Sequence, residues 1–318
     1  MRVIVRNSLF AVIILILFFF GLEVISRLLP FDYREVHNGY TLNDPYLFWK
    51  PHYFNDLLNE ESKQANEYRI VALGDSCTAG EGCDGETYVY LLKKLLQEHM
   101  PRKNFKTYNL GVVGYSSFQA LRTHKRYGTY LKPNVIIIYV AWNDIWRSYI
   151  SDKQLSKHLS RFHILNKLHI IKLMRKCLTK VKPYPNFPLV HRVTREEMRK
   201  NILEMIQIAH NQNAHTIIIV PPFLYDQEGN KPYKDDIKPY LDTIRSIRTD
   251  NNVTLLDLQG YFANKTDMFA INHEEDYIYS TKDGVDTIHP SAKGHRCIAN
   301  ELYKVVCSIL PPAGRQAK

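Results

Sequence analysis

The 318-residue chain is predicted to fold as a three-layer α/β/α sandwich around a five-stranded parallel sheet, preceded by one N-terminal transmembrane helix. Three observations predict it. From Tyr68 onward, strand-like and helix-like stretches alternate, the signature of parallel strands covered by helices. Val135-Ile-Ile-Ile-Tyr-Val-Ala141 and Thr216-Ile-Ile-Ile-Val220 are almost wholly apolar, as strands buried on both faces must be. Ahead of them, an almost unbroken apolar run extends from Leu9 to Leu22 and continues past Glu23 through Val24 and Ile25. Five parallel strands with right-handed crossovers give a sheet of flavodoxin-like type.

The N-terminal run covers about 19 residues from Asn7 to Ile25, near the length a helix needs to cross a bilayer. No small-x-small cleavage site and no Leu-x-x-Cys lipoprotein signature comes after it, which argues for an uncleaved signal-anchor over residues 1–29. Arg2 and Arg6 precede the run and favour a cytoplasmic N-terminus, placing the remainder of the chain in the periplasm or another extracytoplasmic space. Glu23 would then lie at the far interface. Residues 30–66 read as an aromatic-rich strap without helical or strand periodicity. Asn43-Asp-Pro-Tyr-Leu-Phe-Trp-Lys-Pro-His-Tyr-Phe54 is too aromatic for a disordered linker and is expected to pack on the domain surface.

The main domain is expected over 67–312. Strands are predicted at about 69–73, 105–110, 134–141, 215–220 and 253–257, and helices at about 86–99, 116–130, 195–212, 235–249 and 291–309. An insertion, 146–194, interrupts the alternation after the third strand. It carries eleven Lys and Arg residues against Asp152 alone, so the chain's formal net charge of +10 is concentrated there. Ile164, Leu165, Leu168, Ile171 and Met174 recur at helical spacing, which predicts an amphipathic helix whose basic face suits an anionic membrane surface or substrate. The export signal and the lack of a recognition motif argue against nucleic acid as partner. Five cysteines (Cys77, Cys83, Cys177, Cys297 and Cys307) show no metal-type spacing, and every disulfide pairing is left open, Cys77–Cys83 included.

The candidate chemistry sits at strand ends. Ile70 to Leu73 stop at Gly74, which turns the chain and delivers Ser76 at the sheet's C-terminal edge, on a strand–loop–helix corner whose helix is expected near Glu86. Gly114 follows the second strand and can offer a backbone N–H. Asn143, in Trp142-Asn-Asp144, ends the third and can offer its amide. After the last strand comes Asp283-Gly-Val-Asp-Thr-Ile-His-Pro-Ser-Ala-Lys-Gly-His295, where Asp286 and His289 stand three apart on a predicted loop. A serine hydroxyl needs a base to take its proton, and histidine titrates near neutral pH. A carboxylate such as Asp286 fixes the imidazole tautomer and stabilises the imidazolium. Ser76 N–H, Gly114 N–H and Asn143 make a three-donor oxyanion hole, each donor typically worth about 3 kcal/mol. His124, His273 and His295 have no comparable company and read as structural, and Cys77 reads as a small buried hydrophobe.

Gly74-Asp75-Ser76, Gly114, Asn143-Asp144 and Asp286-x-x-His289-Pro290 resemble the four sequence blocks of the SGNH hydrolases, the GDSL esterase/lipase superfamily, in order over about residues 67–310. That resemblance implies a flavodoxin-like fold and serine catalysis on carboxylic esters, without metal or cofactor. It implies Ser76 as nucleophile, His289 as base, Asp286 as orienting acid, and Gly114 and Asn143 in the oxyanion hole. Family members cleave acyl groups from lipids, thioesters and glycans, and some transfer acetyl groups to polysaccharides. Two departures stand out. Cys77 occupies the motif's leucine position, and Ala141 replaces the usual glycine two before Asn143. The expected activity is thus a membrane-anchored esterase acting on an ester-bearing glycan or lipid, acetyl in the first instance. The alternative is an O-acetyltransferase using the same residues on a surface polysaccharide. A non-catalytic binding scaffold is the third reading, against which the complete Ser–His–Asp set argues.

Overall fold

The computed structural model describes residues 2–28, 36–37, 40–83, 85–161, 168, 170–171, 188–224, 231–248, 250, 252–271 and 284–310. The chain divides into two compact units, residues 1–50 with 154–188 and residues 51–153 with 189–318.

In the first unit, helix α1 (Arg2–Leu28) contains one stretch, Phe10–Leu28, long and apolar enough to cross a membrane, with a mean hydropathy of 2.4. Near its C-terminal end, the Glu23 carboxylate accepts from Arg27 Nε at 2.9 Å and from the Ile170 N–H at 3.1 Å. Part of the strap, expected to lack regular structure, forms strands. Val36–His37 pairs antiparallel with Tyr40–Asp44, in one three-stranded sheet with Phe48–Pro51. Asp44 turns the chain by accepting from the N–H groups of Tyr46 and Leu47, a local arrangement with no periodicity to read. Of the apolar set proposed for the basic helix, only Leu168 and Ile171 are described. Ile164, Leu165 and Met174, and with them most of that helix, lie outside the described residues.

The second unit is built on five parallel strands: β1 (Glu67–Gly74), β2 (Asn104–Gly111), β3 (Val135–Tyr139), β4 (His215–Val220) and β5 (Val253–Asp257). Their order across the sheet is β2-β1-β3-β4-β5, with β1 paired to β3 from Ile70↔Val135 to Gly74↔Tyr139. That is the flavodoxin order. Its topological switch point lies between β1 and β3, where a crevice opens at the strands' C-terminal ends. Ile70, Val71, Ala72 and Leu73 are wholly buried beside Ile136, Ile137 and Ile138, which is why the apolar runs were legible as strands.

Helices α3 (Tyr88–His99) and α7 (Ala292–Ile309) pack against each other on one side. On the other, α4 (Ser117–Thr123) packs on α5 (Arg195–Asn211), and α5 on α6 (Lys231–Arg245). Two predicted helices shift. The helix expected over 116–130 becomes α4 followed by a wide turn at His124–Gly128, in which Thr129 N–H reaches His124 O five residues back. The helix expected over 235–249 runs Lys231–Arg245, because the Asn252 N–H bonds to the Asp250 side chain and turns the chain into β5. Residues 51–66 belong to this unit. Phe54 is buried with its ring 4.9 Å from that of Tyr127, and Glu60 accepts from Lys106 and Tyr108.

At the sheet's C-terminal edge, Asp286 and His289 lie not on the predicted loop but on a strand, β7 (Val285–Pro290), paired antiparallel with β6 (Phe269–Ile271). The Asp-Thr-Ile-His-Pro sequence reads as a turn because its strand partner is distant in sequence, and the Leu224 N–H donating to Thr287 O holds it further.

Candidate active site

Gly74 ends β1 where no other residue fits: a Cβ there would stand 2.6 Å from the Tyr139 carbonyl and 2.2 Å from Thr78 Oγ1. Asp75 then caps a single helical turn, α2 (Ser76–Ala79), by accepting from the Cys77 N–H at 3.0 Å. This turn is additional to the helix expected near Glu86, which is α3 (Tyr88–His99). Four residues are too few to show periodicity in sequence. Gly80, with φ 100°, ends the turn.

Ser76 Oγ lies 2.8 Å from His289 Nε2, and His289 Nδ1 lies 2.6 Å from Asp286 Oδ2. The other carboxylate oxygen, Oδ1, accepts from the backbone N–H groups of Ile288 and His289 at 2.7 and 3.0 Å. Asp286 is therefore locked, and as an acceptor it requires the proton on Nδ1, leaving the Nε2 lone pair facing the serine hydroxyl. Burial alone would lower the His289 pKa. The Asp286 hydrogen bond and charge, with the charges of Glu81 and Asp75, outweigh it and raise the pKa above 6.5.

The residues expected as oxyanion donors flank this corner on both neighbouring strands. Gly114 follows β2 at φ 79°, a conformation that favours glycine. Neither its N–H nor that of Ser76 meets an acceptor among the described residues. Asn143, after β3, is buried and donates to Tyr115 O at 3.1 Å, which ties it to the residue next to Gly114. Ala141 takes φ 135°, the backbone setting that glycine would occupy without strain.

Sequence reasoning missed what braces this group. Arg192 Nη1 donates to the Gly114 carbonyl at 2.8 Å and Nη2 to Gln119 Oε1 at 2.8 Å, while Nε meets Asp152 Oδ1 at 3.0 Å. Asp152 Oδ2 also accepts from Ser116 Oγ at 2.5 Å, and Gln119 completes a capping box with Ser116 at the start of α4. The signal was present as the one acid in the basic insertion. Asp144 accepts from the N–H and hydroxyl of Ser117, anchoring the same helix, and burial lifts its pKa to about 6 against those hydrogen bonds.

Other candidates resolve simply. Cys77 is buried, 3.7 Å from Ile288 O, and burial pushes its thiol well above its usual range, the opposite of what a thiolate nucleophile needs. Cys77, Cys83, Cys297 and Cys307 form no disulfide with one another, and Cys177 lies outside the described residues. His295 is buried, stacks on Tyr88 and accepts from its N–H, its pKa pushed by burial down to about 4. His124 is likewise buried, and His273 lies outside the described residues. Among the described residues, no group of three or more His, Cys, Asp or Glu side chains is placed to hold a metal ion.

The family model of GDSL-like lipases/acylhydrolases matches residues 72–297, a span that encloses all five candidate residues. An acetylxylan esterase of Geobacillus stearothermophilus is 21% identical over 248 residues, covering 75% of this chain and 93% of the esterase. Among solved structures, a lipase/acylhydrolase from Enterococcus faecalis is similar at a TM-score of 0.49 and 19% identity, covering 79% of this chain and 100% of the other. A catalytic mutant of an acetylxylan esterase from Geobacillus stearothermophilus is similar at a TM-score of 0.49 and 16% identity, covering 74% and 93%.

Proposed function

From the premise that the chain belongs to the GDSL-like lipase/acylhydrolase family, and is therefore a hydrolase of ester bonds, we propose that Ser76, His289 and Asp286 form its catalytic triad. The observation that carries the reading is the continuous relay from Ser76 Oγ through His289 to Asp286, at 2.8 and 2.6 Å, on the C-terminal edge of the sheet. Ser76 Oγ attacks the ester carbonyl carbon while His289 Nε2 takes the hydroxyl proton. The carbonyl oxygen becomes an oxyanion received by the N–H groups of Ser76 and Gly114 and by the Asn143 amide. His289 then protonates the leaving alcohol, and water releases the acyl-enzyme.

The acyl group we propose is acetyl, carried on a glycan. The acetylxylan esterase relative, alike over three quarters of this chain, supports that choice over a long-chain lipid ester. We read residues 67–312 as the catalytic domain, 30–66 as its strap and 1–29 as an anchor. Arg2 and Arg6 ahead of the apolar helix support a cytoplasmic N-terminus and an extracytoplasmic domain. Protease added outside sealed spheroplasts should digest the domain, and protection would overturn that orientation.

The test of the chemistry is hydrolysis of p-nitrophenyl esters from acetyl to dodecanoyl by the detergent-solubilised full chain beside Ser76→Ala. Cleavage should peak at acetyl and vanish in the variant. Wild-type turnover by Ser76→Ala would sink the mechanism, and a peak at long chains would sink the acetyl assignment. Consumption of acetyl donor only when a glycan is present would move the reaction from hydrolysis to acetyl transfer.

A further inference from the structure

A second carboxylate faces the imidazole from outside the triad. Glu81 Oε2 lies 3.5 Å from His289 Nε2, the nitrogen that also meets Ser76 Oγ at 2.8 Å. Glu81 is brought there by the backbone. Its N–H donates to Ser76 O at 3.0 Å, so it rides directly on the turn that carries the serine. The next residue, Gly82, holds φ 82° and packs so closely on β6 and β7 that a Cβ would stand 2.6 Å from Ala270 Cβ and 3.2 Å from His289 Cβ. The Glu81 side chain is about half exposed, whereas those of His289 and Asp286 are buried. Glu81 thus marks the side of Nε2 that solvent can reach.

We propose that Glu81 is a catalytic residue for the second half of the reaction, holding the hydroxyl-bearing nucleophile that releases the acyl-enzyme. The inference rests on Ser76 and His289 acting as nucleophile and base. Once Ser76 Oγ is acylated, it no longer offers Nε2 a proton, and the incoming molecule must supply one. That molecule enters from the solvent side, between Nε2 and Oε2. The 3.5 Å gap is tighter than two hydrogen bonds of about 2.8 Å at an ordinary water angle would set, so the half-exposed Glu81 side chain rotates outward to admit it. One water hydrogen then points at Nε2 and the other at Oε2, which directs the oxygen lone pair at the acyl carbon.

The step balances without further reagents. The water oxygen bonds to the acyl carbon as His289 Nε2 takes one proton. The tetrahedral intermediate collapses, the carbon–Oγ bond breaks, and Oγ takes that proton back. The second water hydrogen stays on the product acid, which ionises into solvent. Glu81 accepts a hydrogen bond throughout and is never itself protonated by the reaction. The product carboxylate then faces a fixed negative charge, which speeds its departure. A sugar hydroxyl has a single hydrogen and cannot serve Nε2 and Oε2 together, so the site suits water.

Acylation needs no such molecule, and that separates the two halves experimentally. The full chain in detergent is mixed with p-nitrophenyl acetate in a stopped-flow instrument, as wild type, Ser76→Ala, Glu81→Gln and Glu81→Ala. Glu81→Gln and Glu81→Ala should keep a full burst of p-nitrophenolate and a kcat/KM within about twofold of wild type. Their steady-state kcat should fall about tenfold, Ala more than Gln, with acyl-enzyme accumulating in intact-protein mass spectra. Unchanged kcat in both variants, or kcat and kcat/KM falling together, overturns the role of Glu81. Wild-type turnover retained by Ser76→Ala overturns the underlying triad instead. Thermal melts of the two Glu81 variants matching wild type separate a lost contact from a lost fold.

Discussion

Arg192 donates to the carbonyl of Gly114 at 2.8 Å, joining the far root of the long basic insertion to the loop that carries an expected oxyanion donor. The same guanidinium is held by Asp152 and Gln119, so its direction is set by three partners at once. Lysine keeps the charge opposite Asp152 but has no planar fork to reach all three. Arg192→Lys should therefore lower kcat about tenfold with KM within twofold and cost only about 1 kcal/mol of stability. Arg192→Ala leaves Asp152 buried without its cation and should cost about 3 kcal/mol. Steady-state kinetics beside urea melts decide it, and unchanged kcat in Arg192→Lys would show the brace to be dispensable.

In the proposed mechanism, the raised pKa of His289 sets the acidic side of the pH profile. The base must be neutral to take the serine proton, so kcat/KM should fall with a midpoint above the ordinary 6.5. Asp286 raises that midpoint through its hydrogen bond and charge, Glu81 and Asp75 add to it by charge, and His295, itself neutral, does not oppose it. Glu81→Gln should move the limb down. An acidic limb at or below 6.5 in the wild type would contradict this.

Asp75 is wholly buried, one carboxylate oxygen has no partner among the described residues, and burial lifts its pKa from 3.8 to about 7. A carboxyl whose pKa is raised by folding holds its proton more tightly in the native state. Its contribution is full below 3.8 and is lost as the pH climbs through about 7. Asp75→Asn retains an oxygen for the Cys77 N–H and removes the buried charge. It should stabilise the protein by on the order of 1 kcal/mol or more at pH 8 and by little at pH 4. Equal melting shifts at both pH values would refute the burial argument.

Ala141 at φ 135° is the other local cost. Ala141→Gly should stabilise by about 1 kcal/mol, since relief of the strain exceeds glycine's entropy penalty. Because Asn143 lies two residues on, kcat should stay equal or rise. A lower melting temperature in the glycine variant would show that the strain is not there.

The sheet was legible because β1, β3 and β4 centre on continuous apolar runs, β1 stopped by Gly74 and β4 by the Pro221-Pro222 pair, and each predicted strand overlaps an observed one. The candidate site residues were legible for a related reason: Ser76, Gly114 and Asn143 directly follow the three adjacent strands β1, β2 and β3, so naming the strand ends named the corner. Contacts spanning tens of residues were not. Nothing local marks β7 as a strand, since its partner β6 lies across residues 272–283. Arg192 and Asp152 sit 40 positions apart, and nothing in sequence joins them. Nothing in sequence singles out Glu81 either, because its meaning comes from where β7 places His289.

Ser76 and His289 meet across 213 positions of sequence. A chain made from its N-terminus completes β1 and α2 long before β7 exists. Throughout that interval the serine is an ordinary alcohol, no more reactive than any other. In the proposed triad the base arrives only with the last tenth of the chain, so reactivity would switch on at the end of biogenesis, once the rest of the sheet is in place. On that reading, a product truncated anywhere before residue 289 is chemically silent even when its sheet has formed.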